Sequence, residues 1–148
     1  MDDLEQNPAS QSPGASLGRL NHVAVLVRDL PAAIARFQSL FGAKFVEQET
    51  LPNKADAATI EVGEMHLEFL STREPDSKVG KLLDEFGEGV HHLSYNVTDL
   101  EGTMERLRGA GVRLRDQIPR VGVHGRRIAF LEPDDTCGVL IELVEENR

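Results

Sequence analysis

The sequence predicts an α+β fold in which two paired βαβββ modules form a curved mixed sheet around a cleft. The first observation is an internal repeat: HHLSYNVTDL (91–100) follows the pattern of NHVAVLVRDL (21–30), and each segment ends in an Asp-Leu pair. The second is the alternation of side-chain character in both segments, which is typical of β-strands. The third is size, because neither half of the chain is long enough to bury a sheet alone. The two halves are therefore expected to pair.

The composition limits the classes of function. The chain has 148 residues, of which 40% are hydrophobic and 28% charged, and this suits one globular domain. A net charge of −9 disfavours nucleic-acid or anionic-membrane partners, which bind basic surfaces. One cysteine, Cys137, provides neither a disulfide framework nor a cysteine-based zinc site. Residues 1–18 predict a disordered acidic tail without the features of a signal or transit peptide, so we expect a cytoplasmic protein with one domain at 19–146.

The first module is expected at about 19–72. Its first strand lies in NHVAVLV, and Asp29 with Pro31 indicates the start of a helix that ends at Gly42. Three more strands are predicted at 44–48, about 57–62 and 65–70. A short linking helix then follows at about 76–87.

The second module, at about 89–146, repeats this order. Asp99 indicates the start of its helix, Gly111 precedes a predicted strand at 112–116, and the last strand lies in GVLIELVE. The final strand of each module carries one glutamate among apolar residues, Glu68 in the first module and Glu142 in the second.

The strand faces indicate where the ionisable side chains point. Alternate residues of a strand face opposite sides, so the apolar sets of the two first strands are expected to face the helices: Val23, Val25, Val27, Leu93, Tyr95 and Val97. His22 and His92 then lie on the other face, towards the cleft. His91 has the opposite parity and is expected to be a structural residue. Glu68 and Glu142 also face the cleft, because the apolar neighbours of each belong to the core.

Two imidazoles and two carboxylates at equivalent positions of a repeat predict a divalent-metal site. The expected ligands are His22, Glu68, His92 and Glu142. Nitrogen and oxygen donors without thiolate suit Co²⁺, Ni²⁺, Mn²⁺, Fe²⁺ or Zn²⁺, with Co²⁺ as our first choice. Four protein ligands leave about two positions for water or a chelating substrate.

The chain resembles the vicinal oxygen chelate superfamily, which contains the glyoxalases, bleomycin resistance proteins and dioxygenases, and within it the methylmalonyl-CoA epimerases. The likeness covers about 20–145 and rests on NHVAV, DSKVGKLLDEFGEGVHHLSYNV, GVHGRRIAFLEP and GVLIELVE. It implies the same four metal ligands, a proton-transfer role for Glu142 and a homodimer.

One position departs from that family. The epimerases often carry a glutamate near the third strand that is thought to be a second base, and the alignment of NKADAATIEV places Ala57 there. Asp56, Glu61 and His66 are the nearby substitutes. We expect His66 to be the second catalytic residue because it shares the cleft face with Glu68 and titrates near neutral pH.

We therefore expect a metal-dependent epimerase that interconverts the R and S epimers of methylmalonyl-CoA through a metal-stabilised enolate, with Glu142 and His66 as catalytic residues. Arg126 and Arg127 are candidates for binding the acyl-CoA substrate. A glyoxalase I-like lactoylglutathione lyase is the main alternative. An Fe²⁺ extradiol dioxygenase is less compatible with a fourth ligand at Glu68. A metal-free binding module would have no use for four inward ionisable groups.

Overall fold

The computed structural model describes residues 15–146 and has the predicted α+β architecture. The predicted tail at 1–18 falls mostly on residues 1–14, which lie outside the described part. The elements, in chain order, are β1 (Leu20–Leu26), α1 (Leu30–Phe41), β2 (Lys44–Thr50), β3 (Ala55–Val62), β4 (Met65–Thr72), α2 (Lys78–Phe86), β5 (Gly89–Val97), α3 (Leu100–Gly109), β6 (Arg120–Val121), β7 (Arg127–Phe130) and β8 (Ile141–Glu145).

All eight strands form one mixed sheet in the order β2-β3-β4-β1-β5-β8-β7-β6. β1 pairs with β4 in parallel, and β5 pairs with β8 in the same way. The two modules meet where β1 and β5 pair antiparallel, with His22 opposite Ser94 and Ala24 opposite His92. The paired modules predicted from the repeat are thus confirmed, and the first strand of each lies at the centre of the sheet.

The helices begin where the sequence indicates. The Asp29 carboxylate accepts a hydrogen bond from the backbone N–H of Ala32, and the Asp99 carboxylate accepts one from Gly102, which satisfies a free amide in each first turn. α1 ends at Gly42, whose φ of 64° is in the left-handed region that glycine adopts without strain.

Three apolar clusters hold the sheet and helices together. α1 packs on Phe69 and Ile60 on the convex face, and α3 packs on Leu143 and Ala129 in the second module. α2 lies on the opposite face, where its Val79 and Leu83 cover an apolar cluster of five residues: Ala24, Leu26, Ala55, Ala57 and Leu70. α2 therefore closes one end of the concave face and leaves the rest of that face open as the cleft.

The predicted strand at 112–116 is wrong as a full strand. Only Leu114 forms a bridge, to Leu131. The side chain of Asp116 accepts the backbone N–H of Phe130 at 2.8 Å, so a carboxylate takes the place of the next strand carbonyl and the ladder ends there.

No helix within residues 15–146 is long and apolar enough to cross a membrane.

Candidate metal centre and cleft

His22 and His92 project from the two central strands into the cleft, and both side chains are buried. His22 Nδ1 lies 2.7 Å from Asn21 Oδ1, and Asn21 Nδ2 donates to Asn96 Oδ1 at 2.8 Å. An amide oxygen only accepts, so the proton of His22 is on Nδ1. The Nε2 atoms of His22 and His92 are both buried and have no hydrogen-bond partner among the described residues. Two imidazole nitrogens without a protein hydrogen-bond partner therefore face the cleft.

His91 orients His92 from the side. Their Nδ1 atoms lie 2.8 Å apart, so one ring donates a proton to the other. With the proton on His92 Nδ1, the lone pair of His92 Nε2 points into the cleft, which is the tautomer that a metal ligand needs. His91 contacts the neighbouring ring and is not among the described residues whose ligand atoms converge.

The two carboxylates lie directly opposite these nitrogens. His22 Nε2 is 3.6 Å from Glu68 Oε2 and 3.7 Å from Glu142 Oε1, and His92 Nε2 is 3.8 Å from Glu142 Oε2. Buried Ser94 donates to Glu142 Oε1 at 2.7 Å and fixes its orientation. These separations are too long for direct hydrogen bonds but match donors that share an ion at about 2.1 Å from each.

Burial pushes all four groups towards their uncharged forms. It lowers the pKa of His22 to about 4, with Arg126 adding to the shift, and lowers the pKa of His92 well below 6.5. Burial, and then the charge of Glu142, raises the pKa of Glu68 to about 8. Burial also raises the pKa of Glu142 to about 7, against the lowering effect of the Ser94 hydrogen bond. A bound cation would relieve this electrostatic cost by pairing with both carboxylates.

The donor set fits a divalent metal ion. One ligand atom each from His22, His92 and Glu142 lies within 4.8 Å of the others. Glu68 stands beside this trio, closest to His22. Three of the four predicted residues therefore bring ligand atoms together, and the fourth, Glu68, lies 3.6 Å from one of them, His22.

A cavity of about 360 Å³ opens next to three of the four side chains. Its walls are mostly apolar, with Leu70, Val79 and Phe130 among them, while Lys78 and Arg120 supply positive charge. Glu68, His92 and Glu142 line the same space. A small acyl group could thus lie against the candidate ligands while an anionic portion of the molecule meets the two cations.

The residues considered for the second base differ in their position relative to the cleft. Ala57 is buried under the α2 cluster, and Asp56 bonds to Thr50, away from the cleft. His66 is on the cleft face, but its side chain is 45% exposed and lies 3.9 Å from Glu61. It lines a second, smaller cavity that also contains Glu68 and His124.

Of the two arginines considered for substrate binding, only Arg126 lines a cavity near the candidate ligands. Arg126 lines both small cavities beside His22 and Glu68. Arg127 faces away from the cleft and forms ion pairs with Glu101 and Glu145. Its position therefore does not fit a role in binding the substrate. Cys137 is an exposed free thiol in a turn.

Sequence reasoning missed three parts of the site. The hydrogen bond from Ser94 to Glu142 could have been found, because Ser94 has the cleft-facing parity of His92. The chain from Asn96 through Asn21 to His22 could not, because Asn21 has the opposite parity and the strand register is irregular there. The third part is His124 with Glu47 and Glu49, residues some 75 positions apart that only the fold brings together.

Comparison with known proteins gives a consistent result. The family model of the Glyoxalase/Bleomycin resistance protein/Dioxygenase superfamily matches residues 19–143. An ethylmalonyl-CoA/methylmalonyl-CoA epimerase of Cereibacter sphaeroides is 35% identical over 130 residues, covering 86% of this chain and 97% of the relative. A methylmalonyl-CoA epimerase structure from Mycobacterium tuberculosis is similar with a TM-score of 0.82 and 33% identity, over 95% of this chain and 96% of that one. A Streptomyces coelicolor epimerase variant in complex with 2-nitronate-propionyl-CoA gives a TM-score of 0.81 and 33% identity, over 88% and 96% of the two chains.

Proposed function

The chain belongs to the glyoxalase/bleomycin resistance protein/dioxygenase superfamily, and we propose that it interconverts the R and S epimers of methylmalonyl-CoA. The observation that carries this proposal is the pair of unpartnered histidine Nε2 atoms that face two carboxylates in the wall of an apolar cavity. The similarity to epimerases of malonyl-type CoA thioesters supports the substrate class. The protein is accordingly an isomerase.

We propose His22, Glu68, His92 and Glu142 as the ligands of a divalent ion, with Co²⁺ as the first choice for this nitrogen and oxygen donor set. When bound, such an ion supplies stabilisation for the negative charge that develops on the thioester oxygen as the α-proton leaves. The residues around it hold the ligands in place: Asn21 and His91 fix the two rings, and Ser94 fixes Glu142.

Glu142 is proposed to move a proton on one face of the α-carbon. Its carboxylate lines the cavity and is held there by the Ser94 hydroxyl, so it is positioned to accept and return a proton. Inversion needs a second carrier on the opposite face. Two histidines line the small cavity beside Glu68: His66 on β4, and His124 in the turn between β6 and β7. His66 is the one that sequence parity favours.

The cavity supports a thioester substrate. Its apolar walls suit the acyl group and the start of the CoA chain, while Lys78 and Arg120 suit the CoA phosphates. Arg126, beside His22 and Glu68, is proposed to face the free carboxylate of the substrate.

The proposal is tested by proton exchange in D₂O. Metal-loaded protein is incubated with (R)- or (S)-methylmalonyl-CoA, and in parallel with the methylglyoxal–glutathione adduct. We expect deuterium at the α-carbon and inversion of the CoA thioester, with no conversion of the adduct. Conversion of the adduct alone would instead assign a glyoxalase I-like lyase.

We also propose a homodimer in the cytoplasm. The edge strand β2 and the end of α1 expose Phe41, Phe45 and Val46, an apolar patch of the kind that a second copy would cover. A chain with one cysteine has no internal disulfide that would need an oxidising compartment. Light scattering at micromolar concentration measures the oligomeric state directly.

A further inference from the structure

The turn that joins β6 to β7 spans the cleft and brings His124 against the first module. The backbone N–H of His124 donates to Glu49 Oε1 on β2 at 2.6 Å. His124 Nδ1 also lies 3.0 Å from Glu47 Oε1 and 3.3 Å from Glu49 Oε1. Two carboxylates therefore hold one nitrogen of this ring, and the proton between them belongs on Nδ1.

The other nitrogen of the ring faces the cleft. His124 Nε2 lies 3.3 Å from the hydroxyl of Thr59, a buried residue that sits directly opposite Glu68 in the β3–β4 ladder. His124 also lines the small cavity that contains His22, Glu68 and Glu142. With the proton on Nδ1, Nε2 is free to accept the hydrogen bond of the Thr59 hydroxyl, on the side of the ring that lines this cavity.

The backbone conformation of His124 is unusual for its residue type. Its φ of 62° lies in the left-handed region, between Gly122 and Gly125, and such a conformation in a non-glycine residue is held only where surrounding contacts impose it. The bond to Glu49 is such a contact. Strain of this kind is frequent in functional turns.

The position of Glu49 connects His124 with Ala57. Glu49 is the direct cross-strand partner of Ala57. A carboxylate therefore lies beside the position at which alanine provides no ionisable group. Glu49 is bonded to His124, and a carboxylate that orients an imidazole through Nδ1 leaves Nε2 to act as the base.

We propose that His124 is the second proton-transfer residue of this enzyme, with Glu47 and Glu49 as positioning residues. In one direction, His124 Nε2 takes the α-proton, the electron pair of the broken C–H bond moves towards the thioester carbonyl oxygen, and protonated Glu142 returns a proton to the opposite face. Three strands, β4, β1 and β5, lie between β3 and β8 in the sheet. Because the sheet is curved, Thr59 on β3 and Glu142 on β8 lie on facing walls of the cleft. His66, at 45% side-chain exposure, is further towards solvent than His124 at 22%.

This inference rests on the proposed function, and the experiment separates the two. Wild type, His124→Gln and His66→Gln are incubated with each epimer of methylmalonyl-CoA in D₂O, and α-deuteration and inversion are followed separately. Gln48→Ala is the matched control, since Gln48 lies between the two glutamates but pairs with Ala58 on the opposite face. Bound metal and melting temperature are measured for every variant.

We expect His124→Gln to lower inversion by at least about 100-fold, the usual contribution of a general base. One epimer should still exchange its α-proton with solvent through Glu142 and keep its configuration. The other epimer should neither exchange its α-proton nor invert. Inversion near the wild-type rate in His124→Gln overturns the inference. The inference is also overturned if His66→Gln, and not His124→Gln, shows exchange without inversion for one epimer. If wild type itself neither exchanges nor inverts, the proposed function fails and the assignment of His124 fails with it.

A second pair of variants decides the question should His124→Gln lose its fold or its metal. Glu49→Gln removes the charge that orients the ring, so we expect kcat for inversion to fall about tenfold with KM unchanged, and Glu49→Asp to restore part of it. A Glu49→Gln protein with unaltered kcat would refute the positioning role and the base that depends on it.

Discussion

The orientation of each candidate ligand is set by its nearest neighbour. Asn21 holds His22, His91 holds His92 and Ser94 holds Glu142, and in each case the contact leaves a ligand atom aimed at the same point. Outer contacts of this kind fix tautomer and ring angle, so they contribute to metal affinity without touching the ion.

His92→Ala should weaken divalent-metal binding far more than His91→Ala. The first substitution removes a ligand, whereas the second removes only the ring that orients it, a loss that usually costs about 10–100-fold in affinity. Calorimetric titration of metal-free protein measures both. Loss of binding in His91→Ala with binding retained in His92→Ala would show that strand parity assigns the wrong histidine.

The four proposed ligands could be predicted because a strand has a period of two and the repeat fixes the register. His22, Glu68, His92 and Glu142 needed no loop geometry to be placed on one face. His124 could not be placed in this way, since it lies in an irregular turn whose path across the cleft depends on tertiary contacts with Glu47 and Glu49.

At the scale of elements, the repeated Asp-Leu pair acts as a helix start in both modules. Its aspartate satisfies a backbone amide, and its leucine, Leu30 or Leu100, is buried against the sheet. Local sequence therefore fixes where α1 and α3 begin. Local sequence does not determine the strand predicted at 112–116. There the Asp116 carboxylate accepts a hydrogen bond from the backbone N–H of Phe130, and only a single bridge at Leu114 forms.

Replacing Asp99 with Ala should cost about 1 kcal/mol of unfolding free energy, because the Gly102 amide loses its acceptor. Urea unfolding of the metal-free protein measures this. Asp84→Ala is the control: Asp84 is exposed within α2, and its loss should stay within about 0.5 kcal/mol. Equal effects of the two substitutions would mean that the Asp99 cap contributes nothing.

At the scale of the whole molecule, the site exists only because the two modules pair. Each module supplies one histidine and one glutamate, and both pairs are buried in the same cleft. Folding without a cation therefore carries an electrostatic cost that depends on pH.

Metal-free protein should lose stability as the pH rises from about 6.5 to 8. The folded-state pKa of Glu68 is about 8 and that of Glu142 about 7, while both are near 4.5 in an unfolded chain. Over this window the folded state retains protons that the unfolded state has released, so the free energy of unfolding decreases with pH. At 1.36 kcal/mol per pKa unit, we expect a decrease of about 2 kcal/mol. Below pH 6.5 the lowered pKa values of His22 and His92 act in the opposite direction.

Bound metal should reverse this trend. Metal ligands must be deprotonated, so affinity for the ion increases over the same pH window. The difference in melting temperature between metal-loaded and metal-free protein is therefore expected to widen from pH 6.5 to 8. A difference that stays constant with pH would argue that the ion binds away from Glu68 and Glu142.

The most direct test of the account is a titration of metal-free protein with Co²⁺ while the inversion rate of a single epimer of methylmalonyl-CoA is followed. If the epimerase depends on a metal at the four proposed ligands, there is no inversion in the absence of the ion, the rate rises in proportion to bound Co²⁺, and it reaches a plateau at one ion per chain. Full inversion by the metal-free protein would contradict it.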